Sequence, residues 1–276
     1  MTSFDLAAIG AVLLVGVPHG GLDGAVARRI GWPKGALAWM GFNLSYVLLA
    51  GLVAWIWWQW PILSLSVFLI ISALHFGASD IALTESSSAE KSFMRWLPLI
   101  THGGLVCIAI PNFQAIAVQP LFTLLVGDIG AVMLIDSIGM LFLPWLLCLS
   151  AYCIYALIYP VWRQPLLNLG LLLLLVWWLS PLISFAAYFC LWHSRSHMLR
   201  IWHSLKEEGE RQRSFIEAVV YTLLAWASAL VFVLMSEGAL TTVLMQITFI
   251  GLAALTVPHM LLVDLADKLH DWVLNK

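Results

Sequence analysis

The sequence predicts an all-α fold: a polytopic helical membrane protein with about eight to nine transmembrane helices, forming one integral-membrane domain over residues 1–276. Three observations predict it. The chain is 62% hydrophobic and only 10% charged, whereas a soluble domain is about half apolar and about a quarter charged. Its mean hydropathy is +0.95. Apolar runs of roughly 20 residues recur along its length, and lipid leaves the helix as the way for such a run to satisfy its own backbone.

Taken in order, the apolar segments are roughly 4–18, 36–58, 62–83, 96–118, 130–158, 166–179, 181–203, 216–236 and 240–266. The first and sixth are short for a span, and the fifth is long and holds Pro144, a residue that can kink a helix. Charge tests the order. Arg28, Arg29 and Lys34 follow segment 1, Lys91 and Arg95 follow segment 3, and Arg163 follows segment 5. Lys206, Arg211 and Arg213 follow segment 7, and Lys268 and Lys276 end the chain. The loops after segments 2, 4, 6 and 8 hold no Lys or Arg. Basic loops favour the cytoplasm, so the N-terminus is expected outside and the C-terminus inside a cell (inner) membrane. The tryptophans of WIWWQW (55–60) and Trp177–Trp178 then fall at outer ends, where indoles favour the interface.

The rest of the composition excludes other classes. A net charge of −2 and the absence of a basic cluster give no nucleic-acid surface. The four cysteines, Cys107, Cys148, Cys153 and Cys190, sit in apolar runs and read as buried hydrophobes. The N-terminus carries Asp5, no Lys or Arg before its apolar run and no clear small-residue cleavage site, which does not fit a cleaved leader.

Chemistry concentrates in the histidines. His19, His75, His193, His197 and His259 fall near the inner ends of segments 1, 3, 7 and 9. His102 lies early in segment 4, and His203 and His270 lie at the inner boundary. All eight histidines are thus expected in the cytoplasmic half of the membrane. His193 and His197, in LWHSRSH, are spaced i and i+4 and share one helix face. Such a pair can grip a metal ion or form a satisfied polar patch. His19 and His75 at similar depth on other segments favour the metal. Imidazole alone leaves Fe, Zn, Cu and Ni open.

Acids trail the histidines: Asp23 after His19, Asp80 after His75 and Asp264 after His259. Metal-bound imidazoles hand their other N–H to such carboxylates, and a neighbouring helix can supply the partner. Capping a helix end is the alternative role. Arg195 is expected to pair with one of these acids or to snorkel to the inner surface. Gly16, Gly20, Gly21, Gly24 and Gly77 permit broken helices or close approach, and Pro18 and Pro258 suggest bends beside His19 and His259.

The blocks GVPHGGLD, HFGASD, YFCLWHSRSH and PHMLLVD, in this order from residue 16 to residue 264, resemble the signature blocks of the Brp/Blh family of membrane β-carotene 15,15'-dioxygenases. That resemblance implies a catalytic domain that uses O2 to cleave all-trans-β-carotene, or a related carotenoid, at the central double bond into two retinals. It implies non-haem Fe(2+) held by His19, His75, His193 and His197, with His259 as a further ligand or an orienting group. The block around His102 matches loosely, so His102 receives no metal role. Members of the family occur with microbial rhodopsins, which would receive the product. A C40 polyene is insoluble in water, so the enzyme should take it from membrane lipid into an apolar tunnel. Phe76, Phe185, Tyr188, Trp192 and Trp202 are candidate lining residues.

Rival functions leave discriminating marks. A rhodopsin needs a lysine inside a helix, and Lys34, Lys91, Lys206, Lys268 and Lys276 all lie in predicted loops or ends. A membrane di-iron hydroxylase or desaturase carries adjacent histidine pairs, and none occurs here. A b-type cytochrome often places histidines on both sides of the membrane. A non-catalytic carotenoid or retinal carrier explains a tunnel but not converging imidazoles.

Overall fold

In the computed structural model, backbone is described for residues 2–87 and 93–274, and side chains for 2–82, 84 and 94–263. The described residues form helices joined by short turns, with no strand among them. Among the described residues, eight helices are long and apolar enough to cross a membrane: Ser3–Arg29, Ala36–Gln59, Pro61–Ala82, Trp96–Phe113, Ala115–Ile158, Pro160–Trp178, Glu208–Met235 and Leu240–Val263. Their outward faces are apolar too. Leu48, Trp58, Leu143, Trp178 and Leu234 are all exposed, an exterior that suits lipid rather than water.

Several elements differ from the sequence expectation. The first segment does not stop near residue 18. It begins as α1 (Ser3–Ala11), passes through a π-helical stretch (Val12–Gly16) and a 3-10 stretch (Val17–Leu22), and ends as α2 (Asp23–Arg29). Arg28 and Arg29 therefore sit on a helix rather than in a loop. Thr2 caps α1: its Oγ accepts from the Asp5 N–H at 3.2 Å, and the Asp5 carboxylate accepts from the Thr2 N–H at 2.7 Å. The second and third segments become α3 (Ala36–Gln59) and α4 (Pro61–Ser87), with Pro61 at the first position, where its missing N–H is harmless.

The fourth segment ends earlier than expected. It is α5 (Trp96–Gly104), a π-helical stretch (Leu105–Ala109) and α6 (Ile110–Phe113). Gln114 breaks it, and its side-chain amide donates to the Val176 carbonyl at 2.7 Å. Helix α7 (Ala115–Ile158) then fills what was expected to be a loop. Its break lies at Gly127 (φ 77°), not at Pro144, because only glycine adopts that backbone without strain. Helix α8 (Arg163–Trp178) starts at the arginine expected in a loop, and Arg163 donates to the Ala156 and Leu157 carbonyls.

The seventh segment is absent from the eight candidate spans. It is α9 (Pro181–Ala186), a π-helical stretch (Ala187–Ser194) and α10 (Arg195–Ser204). Helix α11 (Glu208–Met235) begins eight residues before the expected segment and absorbs Arg211 and Arg213. Helix α12 (Leu240–Leu274) carries Pro258 inside it without a non-helical residue, so no break occurs beside His259.

The chain divides into two compact units: Met1–Trp60 with Cys190–Lys276, and Pro61–Phe189. In the first unit, Leu22, Ala25, Val26, Phe42, Ile201 and Leu262 form the core. Beside it, Arg28 meets Glu217 at 2.6 Å and Ser214 at 2.8 Å, fastening α2 to α11, and Arg213 meets the same Glu217 at 2.9 Å within α11. In the second unit α4 and α5 lie so close that a Cβ on Gly77 would strike the Leu99 carbonyl, and one on Gly103 the Ala73 carbonyl. Trp145, buried against Gly104, donates its indole N–H to the Thr101 carbonyl at 3.2 Å.

Candidate metal centre

The irregular first span creates the site. Departing from α-geometry frees carbonyls, and in an apolar medium each needs a donor. Side chains supply them within the first unit. The Cys190 thiol donates to the Ala11 carbonyl at 3.4 Å, and the Trp226 indole N–H to the Leu13 carbonyl at 2.9 Å. His19 Nδ1 lies 2.5 Å from the Gly16 carbonyl oxygen, with Ser194 Oγ at 3.3 Å. A carbonyl can only accept, so the proton belongs on Nδ1 and the lone pair on Nε2.

His193 closes the π-helical stretch and His197 sits in the first turns of α10. Both are buried, at 1% and 5% exposure. Arg195 between them is exposed. The polar stretch inside segment 7 therefore divides: two imidazoles turn inward and the guanidinium turns out. His203, beyond them, is exposed as well.

The His19 ring meets three others edge-on: His193 at 5.6 Å between centroids, His197 at 5.7 Å and His259 at 5.3 Å. His197 and His259 are 5.0 Å apart. Four imidazoles from the 3-10 turn, the π-helical stretch, α10 and α12 thus form one cluster.

Asp23 does not serve the histidine four residues before it. Its Oδ1 accepts from His259 Nδ1 at 2.7 Å, with both side chains buried, and its Oδ2 accepts from the Tyr46 hydroxyl at 2.8 Å. Tyr46 on α3 is invisible to a search for ionisable motifs, since it lies in an ordinary apolar run. Ser194 was in plain view inside HSRSH.

The second unit holds a separate polar group. Asp80 faces His102 Nδ1 at 3.4 Å and accepts from the Tyr188 hydroxyl at 3.1 Å. His75 on α4 is buried, its ring 6.1 Å from that of Phe76. Phe76 packs edge-on against Tyr188 at 5.3 Å, and Phe185 stacks on Phe189 at 5.4 Å. Among the other expected tunnel residues, Trp192 is partly buried, and Trp202 borders an apolar hollow of about 370 Å³ in the first unit. Pro18, Leu22, Met198, Thr222 and Trp226 also line it. The side chain of Asp264 lies outside the described residues.

The family model described as "Beta-carotene 15,15'-dioxygenase" matches residues 10–267. The chain belongs to this family. The chain is also similar to a protein named "Beta-carotene 15,15'-dioxygenase" from uncultured marine bacterium 66A03. The two are 34% identical over 273 residues, which is 96% of this chain and 95% of the relative. No solved structure matches.

The resemblance to this family implies a non-haem iron, and the donor set of the first unit fits one. Imidazoles suit iron. Two of the rings already have Nδ1 committed to an oxygen acceptor, the usual arrangement behind a metal-bound histidine. Two imidazoles sharing an ion at about 2.1 Å per nitrogen hold their centroids roughly 4.5–5.5 Å apart, close to the observed 5.0–5.7 Å. Among the described residues, however, no three donor side chains already converge as a metal-ligand group. Loading an ion therefore requires the rings to turn toward a common point.

Proposed function

We propose that this protein cleaves β-carotene at its central 15,15' double bond, with O2 as oxidant, to give two retinals. One observation carries the mechanism: within a membrane protein of this family, His19, His193, His197 and His259 form one mostly buried imidazole cluster. These four residues are the proposed holders of Fe(2+). His75 is retained as a proposed ligand on the sequence resemblance alone. Bound iron would supply the one-electron chemistry that lets O2 react with a carbon–carbon double bond.

The protein's own groups do the rest. The Gly16 carbonyl and Asp23 keep protons on the Nδ1 atoms of His19 and His259, so Nε2 is the nitrogen presented for coordination. The hollow bordered by Pro18, next to His19, and Met198, next to His197, is the proposed seat for an apolar part of the substrate. Placement of the rod matters because the polyene offers many similar double bonds, and a misplacement of about 1 Å can cost roughly 100-fold in rate. Retinal is itself apolar, so it stays in membrane lipid, where a rhodopsin can take it up.

Expression in cells that make β-carotene is expected to bleach them and to yield retinal as the main product. Long apocarotenals as the main product would overturn central cleavage. The proposed setting is the cell membrane with the N-terminus outside and the C-terminus in the cytoplasm, from the alternation of basic segments; termini on opposite sides require the stretch Pro181–Ser204 to cross as a ninth span beside the eight long apolar helices. A reporter fused after Lys276 is expected to be active only on the cytoplasmic side, and activity on the outer side alone would reverse the orientation.

A further inference from the structure

We infer that Tyr46 is a positioning residue that acts on the metal centre through Asp23 and His259; this rests on the reading of the imidazole cluster as the iron site. The chain of contacts is short and mostly buried. The Tyr46 hydroxyl donates to Asp23 Oδ2 at 2.8 Å, and Asp23 Oδ1 accepts from His259 Nδ1 at 2.7 Å. The Leu255 carbonyl, one turn before His259 on α12, lies 3.2 Å from the same hydroxyl. Tyr46 therefore ties together α2, α3 and the turn of α12 that carries His259.

The chemistry follows from the inventory of donors. An ionised carboxylate only accepts, so it orients both partners as donors. With Oδ2 taken by Tyr46, Asp23 presents Oδ1 to the imidazole in one rotamer. The imidazole then keeps its proton on Nδ1 and its lone pair on Nε2. Asp23 stays an acceptor if Tyr46 is lost, but it can swing away. Removing a group hydrogen-bonded to a metal-bound histidine, the place Asp23 holds, typically weakens metal binding 10–100-fold; Tyr46 stands one hydrogen bond further out, so its loss is expected to fall at the low end. The effect differs from a packing defect. Tyr46→Phe keeps the ring that packs 6.2 Å from Phe42 and deletes a single oxygen.

A second tyrosine provides the control. The Tyr221 hydroxyl, on α11 of the same unit, donates to Asn43 Oδ1 at 2.9 Å and touches no histidine. Tyr221→Phe removes the same atom from a comparable setting.

The test uses the full-length protein in detergent, metal-free, titrated with Co(II) as the probe. The readouts are the dissociation constant and the cobalt d–d absorption, neither of which requires turnover. Tyr46→Phe is expected to bind about 10-fold more weakly with an altered d–d band, and Asp23→Asn more weakly still. Tyr221→Phe is expected to match the unaltered protein in both. Unchanged affinity and spectrum in Tyr46→Phe would overturn the inference, as would an equal loss in Tyr221→Phe, which would mark a general packing effect. His197→Ala separates the two levels. If it binds Co(II) as the unaltered protein does, the cluster is not the metal site and both readings fall. If it loses the ion while Tyr46→Phe is unaffected, only the role of Tyr46 falls.

Discussion

His193→Ala and His197→Ala are each expected to lose most of the bound iron and nearly all retinal formation, while His203→Ala keeps both. The three histidines follow one another in a single stretch, but their surroundings separate them. His193 and His197 are buried at 1% and 5% exposure and both face the His19 ring. His203 is exposed at the end of α10. Truncating an imidazole leaves the apolar packing of the spans intact, so the variants should still enter the membrane. Iron per protein and retinal yield, compared at matched membrane expression, decide the matter. A His203→Ala variant as poor in iron as His197→Ala, or a His193→Ala variant that keeps its iron, would show that the chelating pair is misassigned.

Gly21→Ala is expected to abolish most activity, whereas Gly20→Ala is expected to be nearly silent. The two glycines are adjacent in PHGG and indistinguishable in the sequence. A Cβ at Gly21 would lie 2.8 Å from the Ala218 Cα and 2.9 Å from its carbonyl oxygen, against the backbone of α11. Backbone cannot rotate away, so the 3-10 turn that carries His19 must shift. Overpacking of this kind costs about 1–3 kcal/mol, and a displaced ligand costs far more in rate than in stability. A Cβ at Gly20 meets nothing within 4 Å. Retinal yield and iron content in the two variants, with thermal stability in detergent alongside, test the distinction. Equal behaviour of the two would remove the close approach of this turn to α11 as a requirement.

Membrane helices were legible because the solvent writes them into composition. A run such as 36–58 has one way to bury its backbone hydrogen bonds in lipid. The breaks were not legible. Pro144 looked like the kink of the fifth segment, yet the chain turns at Gly127, because a proline in a lipid-facing helix can be accommodated whereas a φ of 77° needs glycine. The seventh segment looked like an ordinary span but contains eight residues of π-helix ending at His193–Ser194. Such a stretch follows from tertiary contacts that no periodicity announces, and it often marks functional positions.

In the candidate site, the shared face of His193 and His197 could be read from their spacing, whereas its burial comes from the fold. The pairing of acids and histidines could not. Each aspartate stands near a histidine in sequence, but helix geometry points it elsewhere: Asp23 reaches His259, and Asp80 reaches His102 and Tyr188. Tyr46 carried no signal at all, since a tyrosine in an apolar helix is usually a packing residue.

Iron K-edge absorption of the purified, iron-loaded protein tests the four-imidazole site most directly. A first shell of nitrogen and oxygen at about 2.0–2.2 Å is expected, with outer-shell scattering from at least three imidazole rings, while His197→Ala protein taken through the same loading is expected to retain too little iron for a comparable edge. A shell without imidazole scattering, or a His197→Ala protein that keeps the full iron edge, would contradict the assignment of the cluster formed by His19, His193, His197 and His259.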